Sequence, residues 1–283
     1  MGELKGGKLC QQEEMVSIVL PTYNRANLVG RAIESVLRQS YQAFELIVVD
    51  DGSTDHTQET VGSYRDERIQ YIKLDGNHGP AHARNIGIGS AKYSYIAFHD
   101  SDDVWCEGKL DKQMQAMAAS GQVGMVYGYC KYHGLAGEID YFPRREIAQE
   151  KKRGFIYPML LEENLIGMPS LLVRRDCIER AGMFREEFQS LEDYEWFLRL
   201  SRVCEAEFID EILVNVYAQE ESVNRNLSAN FSARCMLIGM YKTEMAKYGV
   251  LESVIQEFLG EARYLGCLEE VATALQQVLG EAR

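Results

Sequence analysis

Tyr95-Ile96-Ala97-Phe98-His99-Asp100-Ser101-Asp102-Asp103 is an apolar run that breaks into three carboxylates within four residues. A short apolar run bounded by a polar turn reads as a strand buried on both faces. The pattern occurs twice upstream, in Val16–Leu20, stopped by Pro21, and in Leu46–Val49, closed by Asp50-Asp51-Gly52-Ser53. Ile69–Lys73 supplies one more strand. Between these runs the spacing is helical: Leu28, Ala32, Val36 and Leu37 fall on one face from Asn27 to Gln39, with Asn27 as the expected cap. A second helix is expected over Thr57–Tyr64, and Pro80 opens a third, running toward Ser90 after a turn at Asp75–Gly79. Strands alternating with helices predict a parallel sheet with helices on both faces. In such sheets ligands bind beyond the carboxyl ends of the strands. Pro21–Asn24, Asp50–Ser53 and Asp100–Asp103 are therefore expected on one rim.

The second half is less regular. Lys109–Ser120 reads as helix, Val123–Cys130 as strand, and the charged stretch Arg144–Arg153 as a solvated loop. Ser170–Val173 reads as strand, followed by a short helix near Asp176–Ala181 and a turn at Gly182. Asp193–Arg202 has amphipathic helical spacing, Ile212–Tyr217 is a further strand, and from about Asn226 onward the spacing is helical throughout.

The 283 residues carry 43 acidic and 30 basic side chains, a formal net charge of −13. A surface of that sign repels phosphate backbones and anionic headgroups, so no nucleic acid is expected as a partner. The 7 cysteines (Cys10, Cys106, Cys130, Cys177, Cys204, Cys235 and Cys267) include no pair at C-x-x-C spacing. That argues against a zinc knuckle or a thioredoxin-type motif and for free thiols in a reducing compartment. Met1–Glu14 lacks the apolar core of a secretory signal, and no apolar stretch approaches the ~18–20 residues of a transmembrane helix. The expected location is the cytoplasm. Peripheral contact with the inner face of the membrane would fall to the helical tail, which shows no basic amphipathic face.

Asp100-Ser101-Asp102, just past a buried strand, can turn two carboxylates toward one hard divalent cation. Mg²⁺ or Mn²⁺ prefers oxygen ligands and keeps open positions for substrate phosphates. The alternative is an acidic turn leading the next helix, with Asp103 as a first-turn anion. Asp50-Asp51-Gly52-Ser53-x-Asp55 offers a carboxylate that can accept a base N–H, although Asp-Gly turns and Ser, Thr or Asp caps explain the same residues structurally. Gly79-Pro80-x-x-Ala83-Arg84 puts a guanidinium one turn into a helix near the rim, suited to phosphate or ribose, or simply a surface Arg. Glu192-Asp193-x-Glu195 is either complementary to a helix dipole or the source of a general base.

Other chemistries fit less well. Asp100-Ser101-Asp102-Asp103-Val104 also fits the haloacid-dehalogenase phosphatase pattern, but that motif follows the first strand of its domain and here three strand–helix units come before it. An EF-hand lacks its ligand spacing and closing Glu. No G-x-G-x-x-G follows the first strand and no Walker-A sequence occurs, which argues against a dehydrogenase or a P-loop NTPase.

Taken together, the motifs resemble glycosyltransferase family 2, the inverting GT-A enzymes. Val16–Arg25 resembles the family's opening strand and nucleotide loop, Asp50–Asp55 its uracil-contacting loop, Gly79–Gly87 its G-x-x-x-A-R-N-x-G segment, and Asp100–Asp103 its D-x-D metal motif. Leu172–Arg175, Gly182-Met183-Phe184 and Glu192-Asp193-x-Glu195 follow its acceptor-side order, so the resemblance covers roughly Val16 to Tyr217. His99 departs from the pattern, standing where the family has an apolar residue.

The resemblance implies an α/β fold of GT-A type: a Rossmann-like, mostly parallel sheet with helices on both faces and a C-terminal helical appendage. It divides the chain into a tail (1–14), a catalytic domain (15–220, with a nucleotide-binding half 15–105 and an acceptor-side half 106–220) and a helical region (221–283). It implies transfer of a hexosyl or N-acetylhexosaminyl group from a nucleotide-diphosphate sugar, UDP-linked by expectation, to a carbohydrate or lipid-linked glycan hydroxyl, as in cell-envelope polysaccharide synthesis. Pro21, Thr22, Tyr23, Arg25, Asp51, Asn77, Arg84, Asp100 and Ser101 would hold the nucleotide. Asp102 and Asp100 would hold Mg²⁺ or Mn²⁺. Asp193, with Glu192 beside it, would be the base. A catalytically silent nucleotide-sugar binder on the same fold is the alternative; a nucleotidyltransferase fits less well, since Pro21–Arg25 is not a Gly- and Lys-rich phosphate loop.

Overall fold

Strand β1 (Val16–Thr22) is covered on both sides, and its alternate residues enter two different cores. Val16, Ile18 and Leu20 join one, and Val19 joins the other. Strand β2 (Phe44–Asp50) repeats this, with Leu46 and Val48 on one side and Ile47 and Val49 on the other. A side-chain period of two with both faces packed explains the largely apolar runs, and the buried polar exceptions, Ser17 and Glu45, are paired, Ser17 Oγ donating to Glu45 Oε1 at 2.7 Å. On one face lie α1 (Val29–Leu37), α2 (Thr57–Gly62) and α4 (Lys109–Ala119), which contribute Ile33, Val61 and Leu110. Helix α3 (Pro80–Ser90) covers the other face with Ala81, Ala83 and Ile88. It lies very close to β1: a Cβ on Gly87 would stand 2.3 Å from Val19 Cγ1, so only glycine fits there.

The computed structural model describes residues 14–219 and 227–280. The expected tail (save Glu14), Cys10 and the expected boundary at 220/221 lie outside them. The strands form one nine-stranded sheet in the order β3-β2-β1-β4-β8-β6-β9-β5, with β7 (Ile139–Phe142) paired to β6. Strands β3 (Ile69–Lys73), β2, β1 and β4 (Tyr95–Phe98) are parallel, as expected. The sheet then becomes mixed. Strand β8 (Leu172–Arg174) runs antiparallel between β4 and β6 (Val123–His133), β9 (Glu205–Tyr217) runs parallel to β6, and β5 (Val104–Trp105) antiparallel to β9.

The differences from expectation have local causes. Asn27 does not cap α1; Arg25 carbonyl oxygen takes the Leu28 and Val29 N–H groups instead. The expected strand at Ser170 begins at Leu172, because Met168–Ser170 is a 3₁₀ turn holding Pro169. Strand β9 begins seven residues before Ile212, and Asp210-Glu211, at a register irregularity against Gly128 and Tyr129, hides its first part. The 144–153 stretch is not wholly solvated. Lys152 is fully buried, its Nζ donating to Tyr129 Oη at 2.7 Å.

The C-terminal helices α8 (Leu227–Lys247), α9 (Leu251–Tyr264) and α10 (Leu268–Gly280) pack on the face of α3, with α5 (Tyr157–Glu162), α6 (Arg175–Ala181) and α7 (Glu192–Leu200). Glu195 is their clamp. Fully buried on α7, it accepts from Arg199 Nε and Nη2 and from Tyr241 Oη of α8, at 2.8–3.0 Å. Removing one partner from a buried charge cluster strands the others. Glu195→Ala should therefore lower unfolding free energy by about 3–5 kcal/mol in urea titration, whereas exposed Glu252→Ala should cost under about 1 kcal/mol. An unchanged midpoint for Glu195→Ala would show that the clamp contributes nothing.

Candidate active site

The loop after β1 is fastened to the loop after β2 by short polar side chains. Asn24 takes a left-handed backbone (φ 50°), its Oδ1 accepts the Thr54 N–H at 2.9 Å, and its own N–H donates to Ser53 Oγ at 2.8 Å. The Arg25 and Ala26 N–H groups donate to Thr57 Oγ1 (2.9 Å) and Asp55 Oδ2 (3.0 Å). Asn24, Ser53 and Asp55 are thus occupied structurally. Pro21, Thr22, Tyr23 and Arg25 line the cleft, and Thr22 Oγ1 is buried without a protein partner.

Asp50 and Asp51 have different surroundings. Asp50 accepts from the Ser53 N–H at 2.7 Å and from Tyr71 Oη. Asp51 lines the cleft beside Asn77, and its two oxygens accept the His78 and Gly79 N–H groups at 2.9 and 2.8 Å. It therefore holds the start of α3 in place and keeps one lone pair per oxygen for a further donor.

Arg84 joins the two halves of the cleft. Its Nη1 donates to Glu192 Oε1 at 2.7 Å and its Nη2 to Asp100 Oδ1 at 3.2 Å, with only 7% of the residue exposed. Burial works against the guanidinium's charge, but Asp100 and Glu192 outweigh it and raise its pKa. Nearby, burial and then the charge of Asp100 push the Asp102 carboxyl up, with Arg25 Nε at 3.9 Å offsetting part of this. Asp103 is pushed well up by burial and both neighbours; one oxygen accepts the Tyr217 N–H at 3.4 Å. Arg31 donates to the Asp102 carbonyl and stacks over the Tyr217 ring at 4.2 Å, fastening this loop to the end of β9.

Three carboxylates in four residues crowd one turn; Arg84 pairs with Asp100, while Asp102 has Arg25 only at 3.9 Å and shares Arg31 with Asp103. This is the donor chemistry a hard divalent cation satisfies. Among the described residues no group of three or more His, Cys, Asp or Glu side chains is arranged to hold a metal alone. Asp100 and Asp102 would supply two positions and leave the rest to water and phosphate oxygens. His99 takes no part. Fully buried, it sets Nε2 3.2 Å from Ser35 Oγ and its ring 4.7 Å from Trp105, and burial, with Lys109 adding to it, pushes its pKa down to about 3.

Asp193 lies in the first turn of α7, next to Glu192 in sequence but with different surroundings. Its Oδ1 accepts the Tyr194 N–H at 2.7 Å. Burial and the charge of Glu192 push its carboxyl up to about 7, against the pull of Arg84.

Pro21, Thr22, Tyr23, Arg25, Asp51, Asn77, Arg84, Asp100, Ser101, Asp102, Glu192 and Asp193 all line one cleft of about 730 Å³. Sequence reading missed Tyr132, Phe142, Asn164, Ser190, Gln219 and Asn230, which line it too. These come from a hairpin, loops and α8, where no local spacing marks them.

Comparison with known proteins agrees with this geometry. The model described as Glycosyl transferase family 2 matches residues 17–175. An uncharacterized glycosyltransferase of Rickettsia bellii is 34% identical over 183 residues, covering 64% of this chain and 26% of that one, so the match spans about a quarter of that relative. The putative teichuronic acid biosynthesis glycosyltransferase TuaG of Bacillus subtilis is 30% identical over 219 residues, covering 76% and 82%. The UDP-Glc:alpha-D-GlcNAc-diphosphoundecaprenol beta-1,3-glucosyltransferase WfgD of Escherichia coli is 39% identical over 114 residues, covering 40% and 45%. In fold the chain is similar to S. aureus TarS 1-349 in complex with UDP-GlcNAc (TM-score 0.71, 19% identity, 94% and 80% covered). It is also similar to mannosyltransferase PcManGT from Pyrobaculum calidifontis with GDP-Man and Mn²⁺ (TM-score 0.65, 17% identity, 96% and 77% covered). At these identities the structures speak to fold alone, which is of GT-A type. A family match over more than half the chain, and a relative aligned along most of its length, establish that this chain belongs to glycosyl transferase family 2.

Proposed function

We propose that the protein is a metal-dependent, inverting glycosyltransferase that moves a sugar from a UDP-sugar to a hydroxyl of a glycan acceptor in cell-envelope polysaccharide synthesis. The observation that carries this is the meeting in one cleft of Asp51, the Asp100–Asp102 pair, Arg84 and Asp193, drawn from two strand ends and two helices. The names of TuaG and WfgD support the pathway, WfgD's a lipid-linked acceptor, TarS's complex the UDP-linked donor and PcManGT's complex the metal.

On this reading Pro21, Tyr23 and Asp51 hold the base and ribose. Arg84 sets Asp100 in position and adds positive charge on the diphosphate side. Asp100 and Asp102 would hold Mg²⁺ or Mn²⁺, which when bound neutralises charge on the departing diphosphate. Asp193 takes the proton of the acceptor hydroxyl. The hydroxyl oxygen bonds to the anomeric carbon as the bond from that carbon to the diphosphate oxygen breaks on the opposite face, so the configuration inverts. Glu192 is engaged by Arg84, which leaves the proton to its neighbour.

A base must be deprotonated to act, and a carboxyl raised to about 7 gains that form as pH rises. kcat/KM should climb roughly tenfold per pH unit below the pKa and level off above it; a profile flat from acidic to neutral pH would remove Asp193 from the role. Asp193→Asn should cut transfer by about 10²–10⁴ and leave UDP affinity within about twofold by calorimetry. Equal loss of both would make it a binding residue. Asp102→Asn should abolish the strengthening of UDP binding by Mn²⁺; retained strengthening would move the metal elsewhere.

A further inference from the structure

Away from the cleft, two sulfurs share the space left by one glycine. A Cβ on Gly124 of β6 would stand 2.4 Å from Cys177 Sγ and 2.8 Å from Cys204 Sγ. Gly124 is the extra residue of a bulge: Val123 pairs with Glu205 and Met125 with Ala206, so β6 advances two residues where β9 advances one. Cys177 comes from α6 and Cys204 from the turn between α7 and β9. Arg180 of α6 brackets the pair, its Nη2 donating to Cys177 Sγ at 3.2 Å and its Nη1 to the Val203 carbonyl oxygen at 2.7 Å. The two ends of the 177–204 segment are therefore side by side without any covalent bond between them.

We propose that Cys177 and Cys204 are a redox modification site, which hydrogen peroxide converts to a disulfide stapling α6 to the turn that leads into β9. The loop closed by that bond contains the whole of α7, and with it Glu192 and Asp193. The staple does not depend on which substrates the cleft takes. In the reduced chain only Arg180 bridges the two ends; in the oxidised chain a covalent bond does.

The thiolate is the reacting form of a cysteine, and a neighbouring cation favours it. Arg180 is that cation, and its contact marks Cys177 as the nucleophile. The Cys204 thiol donates to the Cys177 sulfur; this bond and Arg180 hold Cys177 below the ordinary thiol range, against burial and the charge of Asp176. Only 1% of Cys177 is exposed, but the Arg180 side chain that covers its sulfur is half-exposed, which suits entry of a small oxidant. The Cys177 sulfur attacks one peroxide oxygen. The S–O bond forms as the O–O bond breaks, and the leaving oxygen takes a proton and departs as water. The Cys204 sulfur then attacks the Cys177 sulfur: the S–S bond forms, the S–O bond breaks, and hydroxide leaves with the Cys204 proton as a second water. The two sulfurs lose two electrons, which the peroxide gains. With Cys204 in place to resolve the sulfenic acid, Cys177 is kept from the irreversible acids.

Mass spectrometry of the reduced full chain, treated with hydrogen peroxide, alkylated and digested without reductant, tests the assignment. The expected product is a peptide pair joined through Cys177 and Cys204, two hydrogens lighter than the separate peptides and released by dithiothreitol. The oxidised protein should melt about 5 °C or more above the reduced one, because the link constrains the unfolded chain. Cys204→Ser should show no such rise and should leave Cys177 as a sulfenic acid that dimedone traps. Arg180→Gln should slow formation of the bond by about fivefold or more. The peptide map of the native chain decides the bond even where a variant fails to fold. Both thiols left unlinked, either one bonded to a different cysteine such as Cys10, a Tm unmoved by the bond, or an Arg180→Gln rate equal to the native one would each overturn the proposal.

Discussion

A buried guanidinium is the constraint on which the site depends. Arg84 reaches from α3 to Asp100 at the end of β4 and to Glu192 at the start of α7. Without those two carboxylates a guanidinium so nearly enclosed would be prohibitively costly to bury. Without the guanidinium the carboxylates would repel each other and the neighbouring aspartates. The three groups therefore fix one another, and in doing so bring α3, the end of β4 and the start of α7 together. Its Nε is buried and has no protein hydrogen-bond partner.

This arrangement separates neighbours that look equivalent in sequence. Successive residues of a helix point about 100° apart, so Glu192 meets Arg84 while Asp193 sits in a different environment one position on. Asp50 and Asp51 separate in the same way across a strand end. Asp50 ties down its own turn, and Asp51 holds the backbone that opens α3.

The nucleotide-side architecture was legible because its strands are buried on both faces and each ends abruptly in polar residues. Pro21, Thr22, Tyr23, Arg25, Asp51, Asp100, Ser101 and Asp102 reach the cleft for the same reason: strand ends of a parallel sheet share a rim, which Arg84 joins from α3 and Glu192 and Asp193 from α7. The wall of the cleft that includes Tyr132, Phe142 and Asn230 was not legible. Tyr132 and Phe142 meet only because β7 folds back on β6, and Asn230 arrives from a helix almost a hundred residues later in the chain. His99 shows the opposite case. Beside the D-x-D it invites a functional reading, yet the strand's alternation turns it toward Ser35 and Trp105, away from the cleft.

The central claim is that Asp100 and Asp102, set by Arg84, share one cation with the diphosphate of the donor. Anomalous X-ray diffraction from crystals grown with Mn²⁺ and UDP tests it most directly. A manganese peak in coordination contact with an Asp102 or Asp100 carboxylate oxygen and with diphosphate oxygens is the predicted result. UDP bound in the cleft with manganese elsewhere, or with none, would contradict it.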